Sequence, residues 1–195
     1  MASSAVIAIA LLAAGPAPSG NTAAQTTTAV ESTHATLEFS ERVLKYAKLH
    51  QKMEKSLRSL KPTKDSASID ENKHALAKKI VAARPDAKQG DIFTADVTAQ
   101  FRRLLAQEFH GPDESAAHKT IKQGEPVKAV TLQVNSSYPD GVPVTTVPPS
   151  LLQKLPPVPR QVEYRIIDRY LVLLDVRASL IVDFIDRAIP SQDAK

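Results

Sequence analysis

Three short runs near the C-terminus leave this chain few ways to fold. Val162-Glu-Tyr-Arg-Ile-Ile167, Tyr170-Leu-Val-Leu-Leu174 and Leu180-Ile-Val-Asp-Phe-Ile185 are rich in β-branched and aromatic residues, and turn-length stretches, Asp168-Arg169 and Asp175 to Ser179, separate them. They predict an antiparallel meander. The middle run is apolar at successive positions, so both its faces need cover and it is expected at the centre, with Glu163, Arg165 and Asp183 on the flanking strands. Asp168, Arg169, Asp175, Arg177, Asp183, Asp186 and Arg187 alternate in sign around the turns. They are expected to pair locally and hold the strand ends.

The cover for that sheet has to come from the preceding chain, and its patterning is helical. Between Leu37 and Leu60 the apolar positions Phe39, Val43, Tyr46, Met53, Leu57 and Leu60 are spaced 4, 3, 7, 4, 3, with His50 completing a three-heptad seam. Projected at about 100° per residue, Lys45, Lys48, Lys52 and Lys55 fall on the opposite side. Leu37 to Lys61 carries seven basic and three acidic residues, a local net of +4 that equals the net charge of the whole chain. The chain's excess positive charge is therefore that of one helix.

Lys61-Pro62 ends this helix, and Ser68-Ile69-Asp70-Glu71 has the form of a capping box opening a second one to Ala83, with Ile69, Leu76 and Ile80 on one face. Thr94 is placed to cap a third, whose Val97, Phe101, Leu104, Leu105 and Phe109 form an apolar face before Gly111-Pro112 stops it. Val130, Leu132 and Val134 alternate with polar residues, the pattern of a half-buried strand. The proline-dense stretch Tyr138 to Pro159 is too apolar for a solvated linker. It predicts a segment wrapped along the core, with one helical turn over Ser150 to Leu155. The expected fold is α+β, a three-helix N-terminal region followed by a three- or four-stranded antiparallel meander.

The proline-rich lead (Val147-Pro-Pro-Ser-Leu, Leu155-Pro-Pro), Glu163-Tyr164-Arg165, Leu171-Val-Leu-Leu-Asp175 and Leu180-Ile-Val-Asp183 occur in an order that resembles the C-terminal module of small exported bacterial proteins of unknown function. It is similar, more loosely, to the end of periplasmic nickel/cobalt-homeostasis proteins. The resemblance covers about the last 50 residues. It implies an exported protein and carries no catalytic residue.

Export is also the reading of the N-terminus. Ala5 to Ala14 is an unbroken apolar run, too short for the roughly 20 residues of a membrane span but of signal-peptide length. Cleavage is expected after Ser19 or Ala24, although residues 1–4 lack the usual positive charge. The domain plan is then a signal peptide over 1–24, a small polar lead expected to be flexible over 25–36, helices over 37–123, and the wrapping segment with the meander over 124–195, packed on the helices as one unit.

Function is less legible. With no cysteine among 195 residues the chain has no disulfide, thiolate metal site or cysteine nucleophile, and no Gly-rich phosphate loop, G-x-S-x-G or H-E-x-x-H occurs. Scarce aromatics and the lack of a groove-reading motif argue against nucleic acid. No cofactor is expected. The favoured reading is a periplasmic or secreted, non-catalytic interaction protein, with either the apolar seam of the first helix or its lysine face, Lys45, Lys48, Lys52 and Lys55, meeting a protein partner or an anionic envelope surface. A metal-binding accessory is the alternative. His110, Asp113, Glu114 and His118 lie within nine residues, and Glu114 and His118 would share a helix face. His50, with Glu54 one turn on, reads as a core histidine satisfied by local partners. An uncharacterised hydrolase is the third reading.

Overall fold

The computed structural model describes residues 22–57, 65–109, 132–138 and 146–189, together with Lys119. Helices come first: α1 (Thr22–Lys55), α2 (Ser66–Ala83), α3 (Ala95–Phe109) and the short α4 (Pro149–Lys154). The strands β1 (Val162–Ile167), β2 (Tyr170–Asp175) and β3 (Leu180–Ile185) follow as an antiparallel sheet in the order β1-β2-β3. The fold is α+β, with the meander in the expected order and its middle run central.

Alternation along β2 splits the core in two. Leu171 and Leu173 face the helices and join a cluster with Phe39, Val43, Leu76, Ile80, Phe101 and Leu105. Val172 and Leu174 face the other way, toward Val134, Tyr138, Ile181 and Phe184. The helical side centres on aromatic rings: Phe39 lies 5.5 Å from Phe93 and 4.9 Å from Phe101, and Tyr164 sits 6.1 Å from both Phe39 and Phe101. Such offset and tilted pairs add to burial.

Several element boundaries differ from the sequence expectation, each for a local reason. Residues 25–36, expected as a flexible lead, lie inside α1. Ala35 is buried there, and Gln100 Nε2 of α3 donates to Thr36 Oγ1 at 2.8 Å, which ties the last residues of that stretch to α3. The cap of α2 is Asp65, whose carboxylate accepts from the amides of Ala67 and Ser68 and from the Ser68 hydroxyl. The helix thus starts before the expected Ser68 box, and Ile69 falls outside the buried face at 47% exposure while Leu76 and Ile80 lie within it. The wrapping segment is seen in part: Val147, Leu151 and Leu155 are buried, and Pro149 occupies the first turn of α4. The run around Val130 to Val134 contributes no strand among the described residues. Asn135 takes a positive φ of 66°, and Ser137 then makes one bridge to Leu180.

Strand β3 carries an irregularity that redirects one of its side chains. Leu173 pairs with Asp183 but Leu174 pairs with Ile181, so Val182 is an extra residue, a β-bulge. Val182 and Asp183 consequently lie on the helical side in succession. No helix among the described residues is long and apolar enough to cross a membrane.

Candidate functional site

The inner face of α1 carries Phe39, Val43, Tyr46 and His50, the seam expected of it, all buried. Polar members of that seam need partners, and β2 supplies one. Asp175 follows Leu171 and Leu173 on the helical face and is fully buried. Its Oδ2 accepts from the Tyr46 hydroxyl at 2.7 Å and lies 2.6 Å from His50 Nδ1; its Oδ1 accepts from the Ala178 amide at 2.8 Å, closing the β2-β3 turn. Burial, followed by the charge and hydrogen bond of Asp175, pushes the Tyr46 hydroxyl well above its ordinary pKa.

A carboxylate at Nδ1 places a proton there and leaves Nε2 to face the other way. That nitrogen is 3.6 Å from Glu54 Oε2, beyond hydrogen-bond distance, while Glu54 Oε1 accepts from Arg177 Nη1 at 2.9 Å. His50, Glu54, Arg160, Gln161, Val176 and Arg177 line a cavity of about 310 Å³. Arg160 is exposed and makes no ion pair among the described residues.

A second cavity, of about 510 Å³, opens beside the same helix between Arg42, Lys45, Tyr46, Arg84, Asp86 and Asp91. The Arg84 guanidinium lies over the Tyr46 ring, 5.2 Å from its centre, and its Nη2 donates to the carbonyl of Val182 at 3.1 Å, the residue that bulges from β3. Its Nη1 is buried without a hydrogen-bond partner. Arg42 is held by Glu38 at 2.9 Å and by the carbonyl of Asp91 at 2.7 Å.

A second buried aspartate, Asp183, is aimed by the bulge at the loop between α2 and α3. Its oxygens accept from the amides of Gly90, Ile92 and Phe93 at 3.0, 2.8 and 2.9 Å. Desolvation raises its pKa, and those amides oppose the rise. Gly90 has φ 90°, which a side chain rarely tolerates. This is an anchor for a loop.

The lysines singled out from the sequence are where the helical projection puts them. Lys45, Lys48, Lys52 and Lys55 are all exposed on α1 and make no ion pair among the described residues, and Lys45 also borders the larger cavity. Leu37 and Leu44 are exposed on the same outer side, at 60% and 51%. His110, Asp113, Glu114 and His118 lie outside the described residues, and among those described no three potential metal ligands come together. Local pairing around the sheet turns holds for Arg187 with Asp186, at 3.8 Å; Asp175 closes its turn through the Ala178 amide but gives its other oxygen to the helices, and Asp183 and Arg177 bind the helical layer instead. The strand faces explain this: Asp175 continues the inward series of β2, and the bulge turns Asp183 inward.

The pairing of His50 with Asp175 was not foreseen from the sequence. The signal lay in two periodicities read separately, Tyr46 and His50 at i, i+4 on the seam and Leu171, Leu173 and Asp175 at i, i+2, i+4 on a strand. Comparison with family models, characterised proteins and solved structures finds no match for this chain.

Proposed function

We propose that the protein is an exported, non-catalytic interaction protein whose α1 surface engages an acidic protein. One observation carries this: Lys45, Lys48, Lys52 and Lys55 are exposed over about three turns with no carboxylate taking any of them among the described residues. Arg42 on the helix and Arg177 beside it are by contrast bound to Glu38 and Glu54. At about 100° per residue, Leu37, Leu44, Lys48 and Lys55 fall on one ridge. A ridge mixing exposed leucine with lysine fits a protein surface better than lipid headgroups, because the apolar face of α1 is used up in the core and is not available for insertion. The export half of the proposal rests on the apolar run Ala5 to Ala14.

Pull-down from envelope extract with the mature protein tests the interaction half. A protein retained at low salt, released at high salt and lost in the double variant Lys48→Glu, Lys52→Glu is the expected outcome. Retention by the double variant, or salt-sensitive binding to anionic vesicles with no protein captured, would sink the reading. A mass measurement showing the intact N-terminus on the exported material would sink the signal-peptide assignment.

A further inference from the structure

The geometry of the His50 cavity points to a small zwitterion of the α-amino-acid type, and we propose that the cavity is a binding site for such a ligand. The cavity offers two kinds of group. Nδ1 of His50 is turned to Asp175 at 2.6 Å, so in the neutral ring Nε2 is a lone-pair acceptor. Glu54 Oε2, 3.6 Å from Nε2, is a second acceptor. With the ring neutral, two acceptors this close suit an ammonium group that reaches both. The other kind is cationic. Arg160 lines the cavity and makes no ion pair among the described residues, and Arg177 lies beside it on Glu54. A guanidinium fork of this sort suits a carboxylate.

Charge favours the same ligand. Glu54 and Arg177 compensate each other, and Asp175 is fully buried behind the ring with Tyr46, His50 and the Ala178 amide as its donors. A zwitterion adds no net charge, whereas a simple anion would face Glu54 and a simple cation would face Arg160. The volume, about 310 Å³, is at the lower end for ligand cavities, about 300–1,000 Å³. It therefore calls for a small side chain.

The fold also holds the imidazole in place. His50 and Glu54 are one turn apart on α1, and Asp175, buried at the end of β2, fixes the ring by its Nδ1. The lysine stripe lies on the outer side of the same helix and takes no part in this site.

Titration of the full chain with glycine, alanine and leucine, followed by calorimetry and by the ¹⁵N signals of the His50 ring, tests the proposal. Acetate and methylammonium serve as single-ended probes. Saturable binding of a small amino acid that moves the His50 signals, with acetate and methylammonium each weaker by roughly tenfold or more, is expected. Arg160→Ala, an exposed substitution that spares the core, should weaken binding by roughly tenfold, and Glu54→Gln likewise. Absence of saturable binding by every amino acid would overturn the proposal. So would acetate binding as well as glycine and alanine, or affinity unchanged by Arg160→Ala.

Discussion

Taking the water from around a carboxylate costs several kcal/mol, and Asp175 is fully buried. Its compensation is specific: the Tyr46 hydroxyl, the His50 ring and the Ala178 amide all reach it. Removing one partner from such a group leaves the remainder stranded. We therefore expect His50→Leu to lower the unfolding free energy by about 3–5 kcal/mol in urea titration. A loss within about 0.5 kcal/mol, the ordinary range for surface changes, would mean that the buried carboxylate does not depend on the ring. The same residue shows why sequence and structure diverge here. Asp175 ends an apolar run and reads as the first turn residue, yet period-two alternation from Leu171 and Leu173 carries it to the helical face.

Between elements, the connections that matter are polar tips on apolar faces. The short α4 is tied to α3 through Glu108, a buried residue that accepts from Ser150 and from Lys154 Nζ, the latter at 2.6 Å. Burial pushes the Glu108 carboxyl up, but the two hydrogen bonds and the lysine's charge outweigh it and hold it below the ordinary glutamate range. A depressed folded pKa contributes stability that is present above the unfolded value, about 4.3, and is lost as pH falls through the folded one. Glu108→Gln should accordingly cost about 1–2 kcal/mol at neutral pH and nothing in strong acid, where wild type and variant converge. Denaturation curves at several pH values check this, and parallel curves would refute it. The helical register itself was readable: Val97, Phe101, Leu105 and Phe109 are buried as their spacing predicts. The start of α1 was not, because the stretch 25–36 has no apolar periodicity of its own, and a contact that ties its end to the core, Gln100 to Thr36, comes from 64 positions away.

At the scale of the whole molecule, the sheet is a wall between two apolar clusters, and the doubly apolar β2 announced as much. The bulge at Val182 had no comparable signal, since neither glycine nor proline marks it. Without it, alternation alone would not set Asp183 beside Val182 on the helical side. Tyrosines are buried across the helical layer, and burial raises the pKa of Tyr164 and, with Asp175, that of Tyr46. A raised folded pKa contributes stability that is present below the unfolded value, about 10, and is lost as pH rises from there toward the folded value. The melting temperature should therefore fall steeply above about pH 10. Tyr164→Phe, which forfeits the hydrogen bond to the carbonyl of Pro156, should start lower at neutral pH but decline less in alkali. An equally steep decline in the variant would show that other groups govern the alkaline limb.

The two buried aspartates also say something about time. His50 and Asp175 are 125 positions apart, and Ile92 and Asp183 are 91 apart. During synthesis α1 and the loop after α2 leave the ribosome well before the acceptors that satisfy them. Contacts of such long range close late and slow the search for the native state. The helical layer can collapse early on its aromatic rings, but its polar anchors wait for the last hairpin, so completion of β3 is expected to be the event that commits the chain.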